Sequence, residues 1–309
     1  MRVLLAHDAS AGAGIATDLV AALHWPPGSS IRVVAALEPS TGAATMPLSP
    51  IDLPPAPVIE HEIVGYLESE VGRVVDRLTA AGLNADGHVV AGRPGSVLVE
   101  EAATARSDLI VVGSRGHGAL ASLVLGSVSA EVVDHAPCPV LVARRPTAER
   151  ILLATDGSPS AADAETITAG WPIFGGAALR VVSVADVPRP WHAGVAPTMH
   201  HLAIEAYSKD LAAAKTRHEE LARGAAERLT EAGRAADSRL RTGDSAAEIV
   251  AEASDWGADL IVMGSRGLTG LSRILLGSVA RNVLHGSRTS VLVVRTAQAG
   301  TAKTGTASG

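Results

Sequence analysis

Two tandem α/β domains, each a five-stranded parallel sheet flanked by helices, are the fold class this sequence predicts. Three observations lead there. Short apolar, β-branched runs alternate with segments of helical periodicity along nearly the whole chain, the pattern of parallel strands joined by right-handed crossovers. That pattern is traversed twice, once on each side of residue 146. The 309 residues are 47% hydrophobic yet include only four Trp, two Tyr and one Phe, so the cores must be built from Ala, Val, Leu and Ile. Such cores suit sheets buried on both faces. The length is enough for two domains of about 150 residues, each with its own core. We place them at 1–146 and 147–295, followed by a small, polar, disordered tail at 296–309.

In chain order, Arg2 to His7 reads as a strand and Asp8-Ala9-Ser10 as the turn into a helix that carries Leu19, Val20 and Leu23 inward and stops at Trp25-Pro26-Pro27-Gly28. Ile31 to Leu37 is a second strand. Glu38 to Pro57 is rich in Pro, Ser, Thr and Gly with no apolar period, and reads as a loop. From Val58, apolar residues recur at helical spacing as far as Leu78, and Gly82 ends that helix. His88 to Ala91, Leu109 to Val112 and Val140 to Ala143 complete the strands, with helices over Gly95 to Arg106 and Gly126 to His135 between them. The second half replays the order: strands at Ile151–Ala154, Leu179–Val184, Asp237–Leu240, Leu260–Met263 and Val291–Val294, a Pro-rich loop at Pro188–Pro197, and a long helix from Leu202 to about Ala232.

Each fourth strand feeds the same loop. The first copy is Gly113-Ser114-Arg115-Gly116, nine residues, then Gly126-Ser127; the second is Gly264-Ser265-Arg266-Gly267, nine residues, then Gly277-Ser278. Glycine lets a backbone N–H approach an oxyanion with no Cβ in the way, and the amides opening the next helix add partial positive charge. Ser127 and Ser278 add hydroxyl donors. The stretch reads as a phosphate cradle in duplicate. Asp8 and Asp156 stand just past the first strand of each half, either as carboxylates facing a ligand or as N-caps of the next helix. Arg115 and Arg266 either neutralise phosphate or are solvated loop residues.

The double Gly-x-x-Gly, nine residues, Gly-Ser pattern resembles the nucleotide loop of ATP-binding members of the universal stress protein family, and the resemblance covers nearly the whole chain. It implies two Rossmann-like domains with strand order 3-2-1-4-5 and ATP as the ligand, any Mg being held by the phosphates. It also implies pairing through the fifth strands, here Val140–Ala143 with Val291–Val294, as an internal pseudo-dimer that removes two exposed sheet edges. Carried over residue by residue, it puts binding positions at His7, Asp8, Ala36 and Val112 in the first half and Thr155, Asp156, Val184 and Met263 in the second. Phosphate contacts fall on Gly113, Arg115, Gly116, Gly126, Ser127 and Val128, and on Gly264, Arg266, Gly267, Gly277, Ser278 and Val279. The first half departs from the family's Asp-Gly-Ser: if the turn needs a positive φ at its centre, Ala9 is strained there.

Composition excludes other classes. A net charge of -6 argues against nucleic-acid binding, which needs a basic face, and no apolar segment is long enough to span a membrane. The single cysteine, Cys138, precludes an internal disulfide and reads as a core residue, so the cytoplasm is the simplest compartment. The only lysines are Lys209, Lys215 and Lys303, so no P-loop lysine stands in either cradle, and no general base is evident. Gly12-Ala13-Gly14 lacks the third glycine of a dinucleotide fingerprint, and His192, His200 and His201 lack the spacing of a metal site. The resulting expectation is an ATP-binding regulator in which nucleotide orders the loops at Glu38–Pro57 and Val187–Met199 and alters a surface seen by a regulatory protein partner or a second copy. The alternatives are a slow ATPase or nucleotidyl-transfer enzyme, and an interaction scaffold with vestigial pockets.

Overall fold

The computed structural model describes residues 1–38, 56–116, 125–187, 197–267 and 276–295, with side chains at 56–60 and 197–203 excepted. The first half runs β1 (Arg2–Ala6), α1 (Ala11–Ala22), β2 (Ser30–Leu37), α2 (Ala56–Ala80), β3 (Asn84–Ala91), α3 (Pro94–Thr104), β4 (Leu109–Gly113), α4 (Ser127–His135) and β5 (Val140–Ala143). The second runs β6 (Arg150–Ala154), α5 (Pro159–Gly170), a 3-10 turn (Pro172–Phe174), β7 (Ala178–Ala185), α6 (Pro197–Glu231), β8 (Ala236–Thr242), α7 (Ser245–Trp256), β9 (Leu260–Gly264), α8 (Ser278–Gly286) and β10 (Ser290–Val294).

The ten strands among the described residues form one sheet in the order β3-β2-β1-β4-β5-β10-β9-β6-β7-β8, so each half shows the expected 3-2-1-4-5 order. Pairing within each half is parallel, as in β1 with β4 (Val3 opposite Leu109) and β6 with β9 (Ile151 opposite Leu260). The halves meet through the fifth strands, antiparallel, with Leu141 opposite Leu292. That junction buries what would otherwise be two unpaired edges and leaves β3 and β8 outermost. Alternate residues of each strand supply two cores. Val3, Leu5, Val33, Leu153 and Val181 face α1, α2, α5 and α6, whereas Leu4, Val34, Ile110, Leu152 and Val182 face α3, α4, α7 and α8.

Several boundaries differ from the sequence reading, for physical reasons. β3 and β8 extend back to Asn84 and Ala236 through polar residues, because an edge strand is wetted on one side and shows only half of its apolar pattern. α6 starts at Pro197, which the sequence reading placed in a loop; proline is tolerated where a helix begins because its missing N–H has no intrahelical acceptor there. α1 ends at Ala22 with Leu23 as C-cap, and Trp25 donates its indole N–H to Val20 O at 2.8 Å. Trp171 stacks on Phe174, 6.1 Å between ring centroids, so both tryptophans serve packing as expected. Cys138 is buried, and burial pushes its thiol up to about 12, which makes it inert. Most of the two Pro-rich loops, His192 and the 296–309 tail lie outside the described residues, as do the side chains of His200 and His201.

Candidate functional site

At the carboxyl ends of the strands, between β1 and β4 and between β6 and β9, the strand order reverses, and a cavity opens in each half. The first measures about 510 Å³ and the second about 320 Å³. His7, Asp8, Ala36, Val112, Gly113, Arg115, Gly116, Gly126, Ser127 and Val128 all line the first. Thr155, Asp156, Val184, Met263, Gly264, Arg266, Gly267, Gly277, Ser278 and Val279 all line the second. Each set of sequence-predicted positions is thus gathered around one space.

The turn after the first strand is built from its own side chains. Asp8 Oδ1 accepts from Ser10 N–H at 3.0 Å and Asp156 Oδ1 from Ser158 N–H at 2.9 Å. The N-caps are therefore Ser10 and Ser158, which accept from Ala13 N–H at 3.2 Å and Ala161 N–H at 3.3 Å. The aspartates thus brace the turn and line the cavities, and the serines cap the helices. The same serines reach across to the glycine loops, donating to Arg115 O and Arg266 O, each at 3.2 Å.

The centre of that turn does adopt a positive φ, 61° at Ala9 and 77° at Gly157. Only glycine takes this region without steric cost. Ala9→Gly should therefore stabilise the first half by about 0.5–1 kcal/mol, the relief of strain being partly offset by a freer unfolded chain. Gly157→Ala should cost about 1–2 kcal/mol, because a Cβ there would also lie 2.9 Å from Leu221 Cδ2. Urea midpoints of the two variants check both signs.

None of Gly113, Gly116, Gly126, Gly264, Gly267 and Gly277 has a positive φ; space decides Gly113, Gly116, Gly264 and Gly267, where a Cβ would lie under 3.0 Å from a neighbour, whereas at Gly126 and Gly277 the nearest atoms would be 3.4 and 3.3 Å away. A Cβ on Gly113 would lie 2.6 Å from the backbone of Gly12, and one on Gly12 would overlap Arg115 O, which explains Gly12: α1 packs directly under the loop. A Cβ on Gly116 would lie 2.5 Å from Asp8 Oδ2, and one on Gly267 2.8 Å from Asp156 Oδ2. The acid after the first strand and the glycine loop after the fourth are thus in direct contact. Each loop is closed by its last glycine, with Gly126 N–H donating to Ser114 O at 2.9 Å and Gly277 N–H to Ser265 O at 2.8 Å.

Those closing glycines are also the N-caps of α4 and α8, and neither supplies a side-chain acceptor. By contrast α1, α5 and α7 are capped by Ser10, Ser158 and Asp244, while α3, which follows Arg93, shares the absence of a side-chain cap. The first N–H groups of α4 and α8 have no acceptor within their own helices, and the residues that carry them, Ser127 and Val128 and Ser278 and Val279, line the cavities, an arrangement that attracts an anion.

At the other end the two cavities differ. His7 is only 7% exposed, and neither ring nitrogen has a hydrogen-bond partner. Burial pushes its imidazole below the usual value, against the pull of Asp8 and Glu70. In the second cavity Thr155 stands in that place and the imidazole is delivered by α6: His218 Nδ1 lies 2.8 Å from Ser183 Oγ. Ser183 gives its hydroxyl proton to Thr155 O at 2.7 Å, so Nδ1 of His218 is the donor and Nε2 is an acceptor. Burial, then Arg217, holds this imidazole below its usual value too. Sequence reasoning missed His218, and also Asp186, which accepts from the Ser245 N–H and hydroxyl, both at 3.2 Å. His218 is separated from the glycine motif by a helix and two strands, and nothing in its local pattern marks it.

The description "Universal stress protein family" matches residues 1–144 and again 147–295. The chain belongs to this family. A universal stress protein of Thermus aquaticus is 35% identical over 143 residues, which is 46% of this chain and 97% of that protein. One from Mycobacterium tuberculosis is 33% identical over 196 residues, covering 61% of this chain and 62% of its own length. The crystal structure of a universal stress protein from Archaeoglobus fulgidus superimposes with a TM-score of 0.64 at 20% identity, over 95% of this chain and 98% of that one. At that identity the likeness concerns the fold. Among the described residues of this universal stress protein, no helix is long and apolar enough to cross a membrane.

Proposed function

We propose that each half of this universal stress protein holds an adenine nucleotide, ATP in the first instance, and that occupancy regulates a protein partner. The observation that carries the reading is the pair of helices, α4 and α8, whose N-termini open on a glycine loop and lack a side-chain cap. Phosphates fit there because the loop offers backbone N–H groups with no side chain between them, and Arg115 and Arg266 line the same spaces. His7 lines the first cavity and His218 the second, where the Nε2 acceptor of His218 fits the polar edge of a nucleoside. Asp8 and Asp156 line the same cavities. Any Mg would be held by the phosphates.

The site favours retention over turnover. Lys209 and Lys215 lie on α6 and line neither cavity, so no lysine among the described residues is placed to stabilise a transferring phosphoryl group. We place the protein in the cytoplasm, on the strength of its single buried cysteine. Because β5 and β10 already pair within the chain, further self-association would use another surface.

Denaturing the purified protein and quantifying released nucleotide, then titrating stripped protein with ATP by calorimetry, tests the reading. About two ATP per chain is the expected result. Absence of both retained nucleotide and binding would overturn it in favour of an interaction scaffold.

A further inference from the structure

Because β5 and β10 run antiparallel, each strand ends over the opposite half, and an arginine follows each end. Arg144, after β5, donates through Nη2 to Leu284 O at 2.5 Å and through Nη1 to Thr289 O at 3.5 Å. Arg295, after β10, donates through Nη1 to Val133 O at 2.8 Å and Asp134 O at 2.6 Å. Leu284 lies in the last turn of α8, and Val133 and Asp134 in the last turn of α4. Each half therefore places a cation on the C-terminal carbonyls of the helix whose N-terminus opens on the other half's cradle. Arg281, in the first turn of α8, also pairs with Asp134 at 3.2 Å, tying the two helices directly.

The charges of the cradle arginines also reach these caps. Burial and then the charge of Arg115 push Arg144 down to about 10; burial and then Arg266 lower Arg295. An anion in the first cradle would neutralise Arg115 and relieve its repulsion of Arg144. The cap on α8 would then tighten, and α8 carries the second cradle at its other end. The reverse path runs from Arg266 through Arg295 to α4.

We propose that the two cradles are positively coupled through this crossed pair of arginine caps, each switching between engaged and released, so that an anion held in one half favours an anion in the other. The inference rests on the reading of the cavities as nucleotide sites. Linkage makes the coupling equal in both directions.

ATP titration by calorimetry, with each cradle blocked in turn, tests it. Blocking the first cradle with Gly116→Leu, which adds bulk but no anion, should weaken ATP binding in the second by about fivefold or more, and Gly267→Leu should do the same to the first. In an Arg144→Met, Arg295→Met background, which keeps the apolar stems but removes the charges and donors, blocking one cradle should leave the other unchanged. Should that background fold poorly, hydrogen exchange on the Gly267→Leu protein is independent of it: ATP should slow exchange in the last turn of α8. Two sites that bind ATP independently in the native background, coupling that survives the methionine substitutions, or exchange in α8 that ignores ATP would each overturn the coupling and leave the nucleotide reading intact. Failure of native protein to bind ATP would overturn both.

Discussion

Replacing Gly116 and Gly267 together with Asp should abolish detectable ATP binding while leaving the fold in place. Both positions are exposed loop residues, so the folded core loses nothing. The site loses twice. Any Cβ at these positions meets Asp8 Oδ2 at 2.5 Å or Asp156 Oδ2 at 2.8 Å, so either the loop or the aspartate must move. The new carboxylate then stands beside an existing carboxylate and where phosphate charge would sit. Like charges about 4 Å apart near a protein surface repel by about 4 kcal/mol, enough for a loss of at least about a hundredfold in affinity. Gly116→Ala with Gly267→Ala separates the two causes, since it adds the bulk without the charge and should weaken binding less. Calorimetry on the native protein and both double variants gives the comparison. Unchanged ATP affinity in the Asp double variant would remove the glycine loops from the site.

Glu252→Ala should destabilise the protein by about 2–4 kcal/mol, the largest effect we expect from a single side chain away from the cavities. Glu252 is only 2% exposed on α7, where Oε1 accepts from Arg180 Nη1 at 2.9 Å and Oε2 from Arg241 Nε at 2.6 Å. It is the shared anion of a network in which Arg180 also grips Asp237, Arg241 also grips Asp255, and Arg180 lies 4.7 Å over the Trp256 ring. Removing the buried carboxylate leaves two guanidiniums pressed together with one anion fewer and a gap between α7 and the sheet. In the first half the carboxylate is Glu101, 26% exposed in its side chain and 3.4 Å from His88 Nε2. There Glu101→Ala should cost no more than about 1 kcal/mol, because that pair is wet. Urea unfolding followed by tryptophan fluorescence measures both; equal midpoints for the two variants would show that the Glu252 network contributes no more than a surface pair.

Much of this fold can be read directly from the chain. The strands of the sheet interior, β1, β4, β6 and β9, are continuous apolar runs because both of their faces are covered, and such runs are recognisable without any partner in view. The edge strands β3 and β8 are harder to read, since solvent permits them polar residues and only their central segments look like strands. The cavity-lining glycines were legible as well, because a loop that must pass within contact distance of Gly12 and Asp8 has no room for a side chain. That constraint is local enough to leave a repeated spacing.

What the sequence by itself determined is therefore the alternation of elements, the twofold repeat and the two glycine loops with their nearby aspartates. All of these follow from periodicity and turn chemistry acting over a few residues. Only the tertiary structure decided which serine caps which helix, that a histidine lines the first cavity from the end of β1 but the second from α6, and that Arg144 and Arg295 cross over to cap the opposite half's helices. Those outcomes depend on how α6 packs across the sheet and on the antiparallel pairing of β5 with β10. They join residues far apart in the chain, as Arg144 and Leu284 are, and no local pattern can encode a contact whose two partners meet only when both halves have folded.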